Sequence, residues 1–178
     1  MLDYSKESVN DYFLIDMKPF YASIECIERN FDPLTTELVV MSRADNTGLG
    51  LILELLLLKQ KKRYDITNVS RPRDLSQLFP KTSYVVPPRM NLYIKRNMRV
   101  NNIFKRYVAD EDLLMYPIDE PILKVTRSLN IFTTEGTRSQ RRKKFVQMIQ
   151  ERIKEELGLI ATVGVAEIIP FGQTRLRQ

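Results

Sequence analysis

The sequence predicts a mixed α/β (α+β) fold, and two observations carry that expectation. Short apolar runs of strand length alternate with longer stretches of helical periodicity, and neither an internal repeat nor a low-complexity segment interrupts them. At 178 residues, with 43% hydrophobic and 28% charged side chains, the chain can form one folded domain or one domain with a small inserted subdomain.

Taken in order, Tyr12 to Asp16 reads as a buried strand that ends on a carboxylate. Pro19 to Glu28 then reads as a helix, because proline suits a first turn and Phe20, Ile24 and Ile27 share a face. Leu38 to Met41 is a second strand, stopped by the turn-forming Asp45-Asn-Thr-Gly48. The stretch from Gly48 to Arg63 holds four consecutive leucines among glutamate, lysine and glutamine, so propensity predicts a helix there. Pro87-Pro88 introduces a helix from about Arg89 to Tyr107. Leu113–Tyr116 and Ile122–Thr126 read as two strands of a hairpin around Pro117-Ile-Asp-Glu-Pro121. Thr137 to Leu157 is a long basic amphipathic helix burying Phe145, Ile149, Ile153 and Leu157, with Gly158 as its stop. Ala161 to Val165 is a final strand.

Composition removes whole classes of chemistry. There is no histidine, which excludes Ser-His-Asp and Cys-His catalysis and any histidine-ligated metal. Cys26 is the sole cysteine, so no internal disulfide can form; a buried structural thiol in a reducing, cytoplasmic setting is expected. The net charge of +6 is compatible with a polyanionic partner. No stretch reads as a signal peptide or membrane span, since Glu54 splits the apolar run Leu49–Leu58 and Lys59 to Arg63 end it. Any catalysis must therefore run on carboxylates, Lys, Arg, Tyr and hard cations.

Two carboxylate clusters stand out: Asp16 at a strand end directly before a helix, and Asp119-Glu120 at a hairpin tip. Alone, such residues are commonly solvated or capping. Their surroundings are more specific. Asp16-Met-Lys-Pro-Phe-Tyr-Ala-Ser-Ile-Glu25 closely resembles the first motif of the Y-family (UmuC/DinB-type) translesion DNA polymerases, an aspartate followed by x-x-x-Phe-Tyr-Ala-Ser-x-Glu. Tyr116-Pro-Ile-Asp-Glu120 resembles the second, usually Ser-Ile-Asp-Glu. Val39-Val-Met-Ser-Arg43, Asn68-Val-Ser-Arg71, Pro87-Pro-Arg-Met-Asn-Leu-Tyr93 and Thr162-Val-Gly-Val165 also stand where UmuC-like (ImpB/MucB/SamB) members have similar text. The resemblance runs from about Tyr12 to Val165 in family order.

The resemblance implies a palm-like sheet with flanking helices at 1–25 and 80–178, a fingers-like insertion at 26–79, and no thumb or little finger. It implies nucleotidyl transfer to a primer 3′-hydroxyl in lesion bypass and SOS-type DNA repair, on primer–template DNA and a deoxynucleoside triphosphate. Two Mg²⁺ ions, or Mn²⁺ in their place, would be held by Asp16, Asp119, Glu120 and the backbone carbonyl of Met17. Hard cations prefer such oxygen donors, and catalysis of phosphoryl transfer is mostly positioning and charge neutralisation. Backbone N–H groups near Phe20 and Tyr21 would face the triphosphate, and Tyr21 matches the family's steric gate beneath the sugar. Contact with a processivity clamp is implied only through sequence beyond the palm.

Departures from the family are concentrated. Where it has an Ala-Ser-Pro-x-x-x-Lys type segment, this chain has Leu51 to Lys62. After Val165 the family's Gly-Asp-Asn-Pro-Leu-Leu-Ala-Lys-Leu-Ala-Leu-Asp text gives way to Ala166 to Gln178. Codons can be chosen for both segments whose other reading frames restore family-like words, so truncation with frameshifts is an expectation. Three readings stay open: a lesion-bypass polymerase, a catalytically inactive remnant that binds metal or DNA weakly, and a nucleic-acid-binding module without a metal. Arg138, Arg141, Arg142, Lys143 and Lys144 are expected to form a solvated helix face rather than a DNA track, and Lys61–Arg63 plain surface.

Overall fold

A computed structural model of the chain describes residues 9–17, 19–42, 51–56, 84–115 and 120–168. The expected turn at Asp45–Gly48, the basic Lys61–Arg63, the Asn68–Arg71 motif and the hairpin tip with Asp119 lie outside these residues. The chain divides into two compact units, residues 1–18 with 97–178 and residues 19–96. The expected fingers-like insertion, 26–79, falls within the second of them.

The first unit is built on an antiparallel four-stranded sheet. Its strands are β1 (Asn10–Asp16), β5 (Leu113–Leu114), β6 (Ile122–Lys124) and β7 (Thr162–Ile168), in the order β5-β6-β1-β7. β1 is thus central, pairing Leu14 with Ile122 on one side and with Gly164 on the other. Alternation along β1 separates two faces: Phe13 and Ile15 are buried, Leu14 is exposed and Tyr12 and Asp16 are half-buried. The covered face meets the apolar stripe of the long C-terminal helix (Arg138–Leu157), in which Phe145, Ile149 and Ile153 are buried. Phe13, Tyr107, Phe132 and Phe145 form an aromatic cluster there, with Phe13 and Phe145 ring centroids 5.7 Å apart and Phe132 stacked on Phe145 at 5.5 Å.

That long helix starts and stops where the sequence says. Thr137 and Gln140 form a reciprocal capping box, and Gly158 closes the helix at φ 68°. β7 continues past Val165 through Ile168, so Ala166 and Glu167 pair with Tyr12 and Asp11 despite their departure from family text. A short helix at Thr126–Phe132 stands where the hairpin strand was expected to end.

The second unit holds α1 (Phe20–Ile27) and a three-stranded sheet of β2 (Leu38–Ser42), β3 (Leu51–Leu56) and β4 (Tyr84–Val86), in the order β3-β2-β4. Pro19 precedes the helix as its N-cap rather than sitting in the first turn. α1 ends as the chain turns through Asn30 at φ 58°, with the Phe31 N–H reaching back to the Cys26 carbonyl at 2.8 Å. The helix expected from Gly48 onward is corrected: Leu51–Leu56 is a strand, antiparallel to β2 with a register shift at Val40/Met41. Helix propensity is a weak local preference of a few tenths of a kcal/mol per residue (~0.2–0.7), and pairing with β2 overrides it. β4, unforeseen in the sequence, adds to β2 in parallel. The helix after Pro88, α2 (Met90–Phe104), begins in this unit. With the two already described, the remaining helices are numbered α3 (Thr126–Phe132) and α4 (Arg138–Leu157). No helix among the described residues is long and apolar enough to cross a membrane.

Candidate active site

In the first unit two sequence-predicted carboxylates flank the β1–β6 pairing, Asp16 as the last residue of β1 and Glu120 two residues before β6. The Ile15 N–H donates to the Pro121 carbonyl at 3.0 Å, one residue beyond the Leu14–Ile122 pair. Asp16 and Glu120 each lie two residues beyond the last cross-strand pair, Leu14–Ile122. Alternation along β1 sets Asp16 with Leu14 on the face opposite Phe13, away from the helix-covered core. Asp16 and Glu120 are both half-buried. On the other side, Thr162 pairs with Asp16 and its hydroxyl donates to the Asp16 carbonyl at 3.1 Å, fixing the strand end that carries the carboxylate. Met17 follows with a buried side chain.

Asp119, the third carboxylate of the expected set, lies outside the described residues. Among the described residues no group of three acidic, cysteine or histidine side chains lies together for a cation. The two that are placed offer only hard oxygen donors, which fits Mg²⁺ or Mn²⁺ and not a soft metal.

In the second unit, Phe20 is buried and Tyr21 half-buried. The Tyr21 ring lies between Phe20, at 5.7 Å, and Tyr93, at 4.6 Å. Behind it is a charged network that sequence reasoning missed. Glu25 is fully buried and accepts from Arg89 Nε at 2.9 Å, Arg89 Nη2 at 2.7 Å, the Tyr93 hydroxyl at 2.8 Å and Arg29. Burial alone would raise this carboxyl, but the hydrogen bonds from Arg89, Tyr93 and Arg29 outweigh it and hold the group below the ordinary carboxylate range. Burial also raises the Tyr93 phenol above its usual value. The signal was present in the sequence: α1 has no polar face, so a glutamate between Ile24 and Cys26 has to be buried and matched by cations. Cys26 is free and buried, its thiol pushed up to about 11 by desolvation, as a structural cysteine should be.

A second missed carboxylate is Asp11, on the covered face of β1. It accepts from Arg138 at 2.9 Å and from Arg142 Nε at 2.6 Å, and the same arginines reach Glu167. Arg141 donates to the Leu129 carbonyl at 2.7 Å and to Asn130 at 2.6 Å. The expectation of a solvated basic face is therefore corrected for these three arginines: they tie α4 to β1, β7 and α3. Of that group Arg138, Lys143 and Lys144 are exposed, while Arg141 and Arg142 are half-buried.

The impB/mucB/samB family profile matches residues 15–169. UvrX of Bacillus subtilis is 27% identical over 94% of this chain and 36% of its own length. The DNA repair protein homolog YozK of the same organism is 30% identical over 67% of this chain and 100% of its own. DNA polymerase IV 2 of B. subtilis is 31% identical over 86% of this chain and 34% of that one. The chain thus spans about a third of the length of UvrX and of DNA polymerase IV 2. Among solved structures, an insertion ternary complex of Dbh DNA polymerase matches with a TM-score of 0.72 at 20% identity, over 88% of this chain and 42% of that one. DinB from Sulfolobus solfataricus matches with a TM-score of 0.69 at 19% identity, over 88% and 42%.

Proposed function

Because the chain belongs to the impB/mucB/samB family of Y-family DNA polymerases, we propose that it carries the catalytic carboxylates of a lesion-bypass polymerase. The reaction is nucleotidyl transfer: a primer 3′-hydroxyl attacks the α-phosphate of a deoxynucleoside triphosphate, and pyrophosphate leaves. The observation that supports this reading is the β1–β6 pairing, which ends at Leu14–Ile122 with Asp16 and Glu120 each two residues further on and Asp119 next to Glu120 in sequence.

In this reading Asp16, Asp119, Glu120 and the Met17 carbonyl hold two divalent cations. When bound, such ions acidify the primer hydroxyl and neutralise charge on the triphosphate. The protein's part is to gather carboxylates at strand ends whose backbones are pinned by the Ile15–Pro121 and Thr162–Asp16 hydrogen bonds. The first unit serves as the palm and the second includes the fingers. The N-terminal turn of α1, at Phe20 and Tyr21, favours phosphate, and the Tyr21 ring excludes a ribose 2′-hydroxyl.

Mn²⁺ binding followed by electron paramagnetic resonance, with and without deoxynucleoside triphosphate, tests the reading. Wild type is expected to bind, and Asp16→Ala and Glu120→Ala to weaken binding about tenfold or more. Equal affinity in all three would sink the assignment. The chain spans about a third of its polymerase relatives, and positioning supplies ~7–11 kcal/mol of such barriers. Primer extension by this 178-residue polypeptide alone is therefore expected to be negligible with Mg²⁺ or Mn²⁺. Extension that disappears in Asp119→Ala would overturn that expectation.

A further inference from the structure

We propose that Tyr93 is the positioning residue for sugar selection, acting as a fixed backstop for Tyr21. The inference rests on the reading of Tyr21 as the wall beneath the nucleotide sugar. Steric exclusion of one hydroxyl works only if the excluding ring cannot retreat, because a shift of well under the size of an oxygen atom would admit it. What stands behind Tyr21 therefore decides how well it selects.

Behind it stands Tyr93, with ring centroids 4.6 Å apart and planes inclined by 37°. Tyr93 is fully buried, while Tyr21 is only half so. The open part of Tyr21 is what a ligand can meet, and Tyr93 takes up the covered part. Tyr93 cannot rotate away cheaply, since its hydroxyl donates to Glu25 at 2.8 Å, and Glu25 is itself fully buried. The carboxylate is fixed in turn by the two Arg89 hydrogen bonds and by Arg29. Arg89 and Tyr93 lie on one turn of chain, joined by the Tyr93 N–H to Arg89 carbonyl bond of 3.1 Å. Glu25 and Tyr21 are likewise one turn apart on α1. The two segments are clamped to each other at the charged end and touch through rings at the other, so the gate inherits the stiffness of the hydrogen bonds that gather on the buried Glu25 carboxylate.

The distinction from a merely structural tyrosine is that ring and hydroxyl have separable jobs. The ring fills the space behind Tyr21; the hydroxyl locks the ring. Tyr93→Phe keeps the backstop, whereas Tyr93→Leu and Tyr93→Met replace a flat rigid surface with one that yields.

The test is the ratio of dissociation constants for ATP and dATP, measured by calorimetry on the 178-residue chain with Mn²⁺ and a primer–template oligonucleotide. Circular dichroism confirms that each variant is folded at the working temperature, and Tyr93→Met serves if Tyr93→Leu does not fold. Wild type is expected to favour dATP by about tenfold or more. Tyr93→Phe, which keeps the ring but frees it from Glu25, is expected to keep part of that preference. Tyr93→Leu and Tyr93→Met are expected to lose most of it through tighter ATP binding, with dATP affinity little changed. A folded Tyr93→Leu or Tyr93→Met that retains the wild-type ratio, while Tyr21→Ala loses it, overturns the backstop and leaves the gate intact. No preference in wild type, or an unchanged ratio in Tyr21→Ala, overturns the gate and the backstop with it.

Discussion

β1 carries an aspartate near each end, and the two could hardly be more differently placed. Asp11 sits on the helix-covered face, 2% exposed, between the guanidinium groups of Arg138 and Arg142. Asp16 sits on the open face, half-buried and beside Thr162. Five residues of a period-two strand are enough to turn one carboxylate inward and the other outward. The inward one is spent on architecture, because a buried carboxylate must be matched by cations or it destabilises the fold. The outward one lies off that covered core, where the proposed cation site would need it.

The largest effect should come from removing the inward carboxylate. Asp11→Ala strands two arginines at the α4–β1 contact and is expected to destabilise by about 3 kcal/mol, the low end for a broken buried pair because Arg138 is 43% exposed. Urea denaturation would measure it, and a loss below about 1 kcal/mol would erase the contrast with Asp16. Glu25→Gln in the second unit should come next, at roughly 2 kcal/mol, since a neutral amide keeps the shape but not the charge-assisted bonds. Its pH signature has a definite sign. The folded-state value of Glu25 is lowered, so the unfolded chain binds the proton more readily. The stabilisation is complete above the usual carboxylate value near 4.5 and is lost as pH falls through the lower folded value. Wild type should therefore lose stability more steeply than Glu25→Gln on acidification below that point, and parallel curves would contradict the network.

Smaller again is Thr137→Ala, which removes the N-terminal cap of α4 and should cost about 1 kcal/mol by thermal melting. Asp16→Asn should be smallest, within about 0.5 kcal/mol of wild type in urea. Its mark should be on Mn²⁺ affinity instead. If Asp16→Asn unfolded the chain, the outward carboxylate would be structural after all.

How much of this was legible depends on the range of each interaction. The α4 boundaries, the buried Phe145/Ile149/Ile153 stripe and the β1 strand follow from neighbours a turn away, and the sequence announces them. The Asp16 and Asp119-Glu120 clusters were visible as words of a family motif, and the β1–β6 pairing that leads toward both is local to one strand pair. Asp11 was not legible, because its partners lie 127 and 131 residues further along. Glu25 was quoted as a motif letter, and its apolar helix signals burial, but which residues match it was not legible, because Arg89 and Tyr93 lie 64 and 68 residues away. The same cause explains β3: leucine-rich propensity speaks for a helix, while the β2 edge that pairs with it is a tertiary fact.

The central place of β1 has a consequence in time. It is made before both of its partners: one edge waits for Ile122–Lys124 and the other for Thr162–Ile168, the latter among the last residues described. Until those emerge, an apolar strand with two open edges must stay soluble without partners, and contacts of such long sequence separation form slowly. A ribosome that stalls between α4 and β7 would therefore release a chain whose β1 is still half unpaired and prone to join a neighbour's sheet.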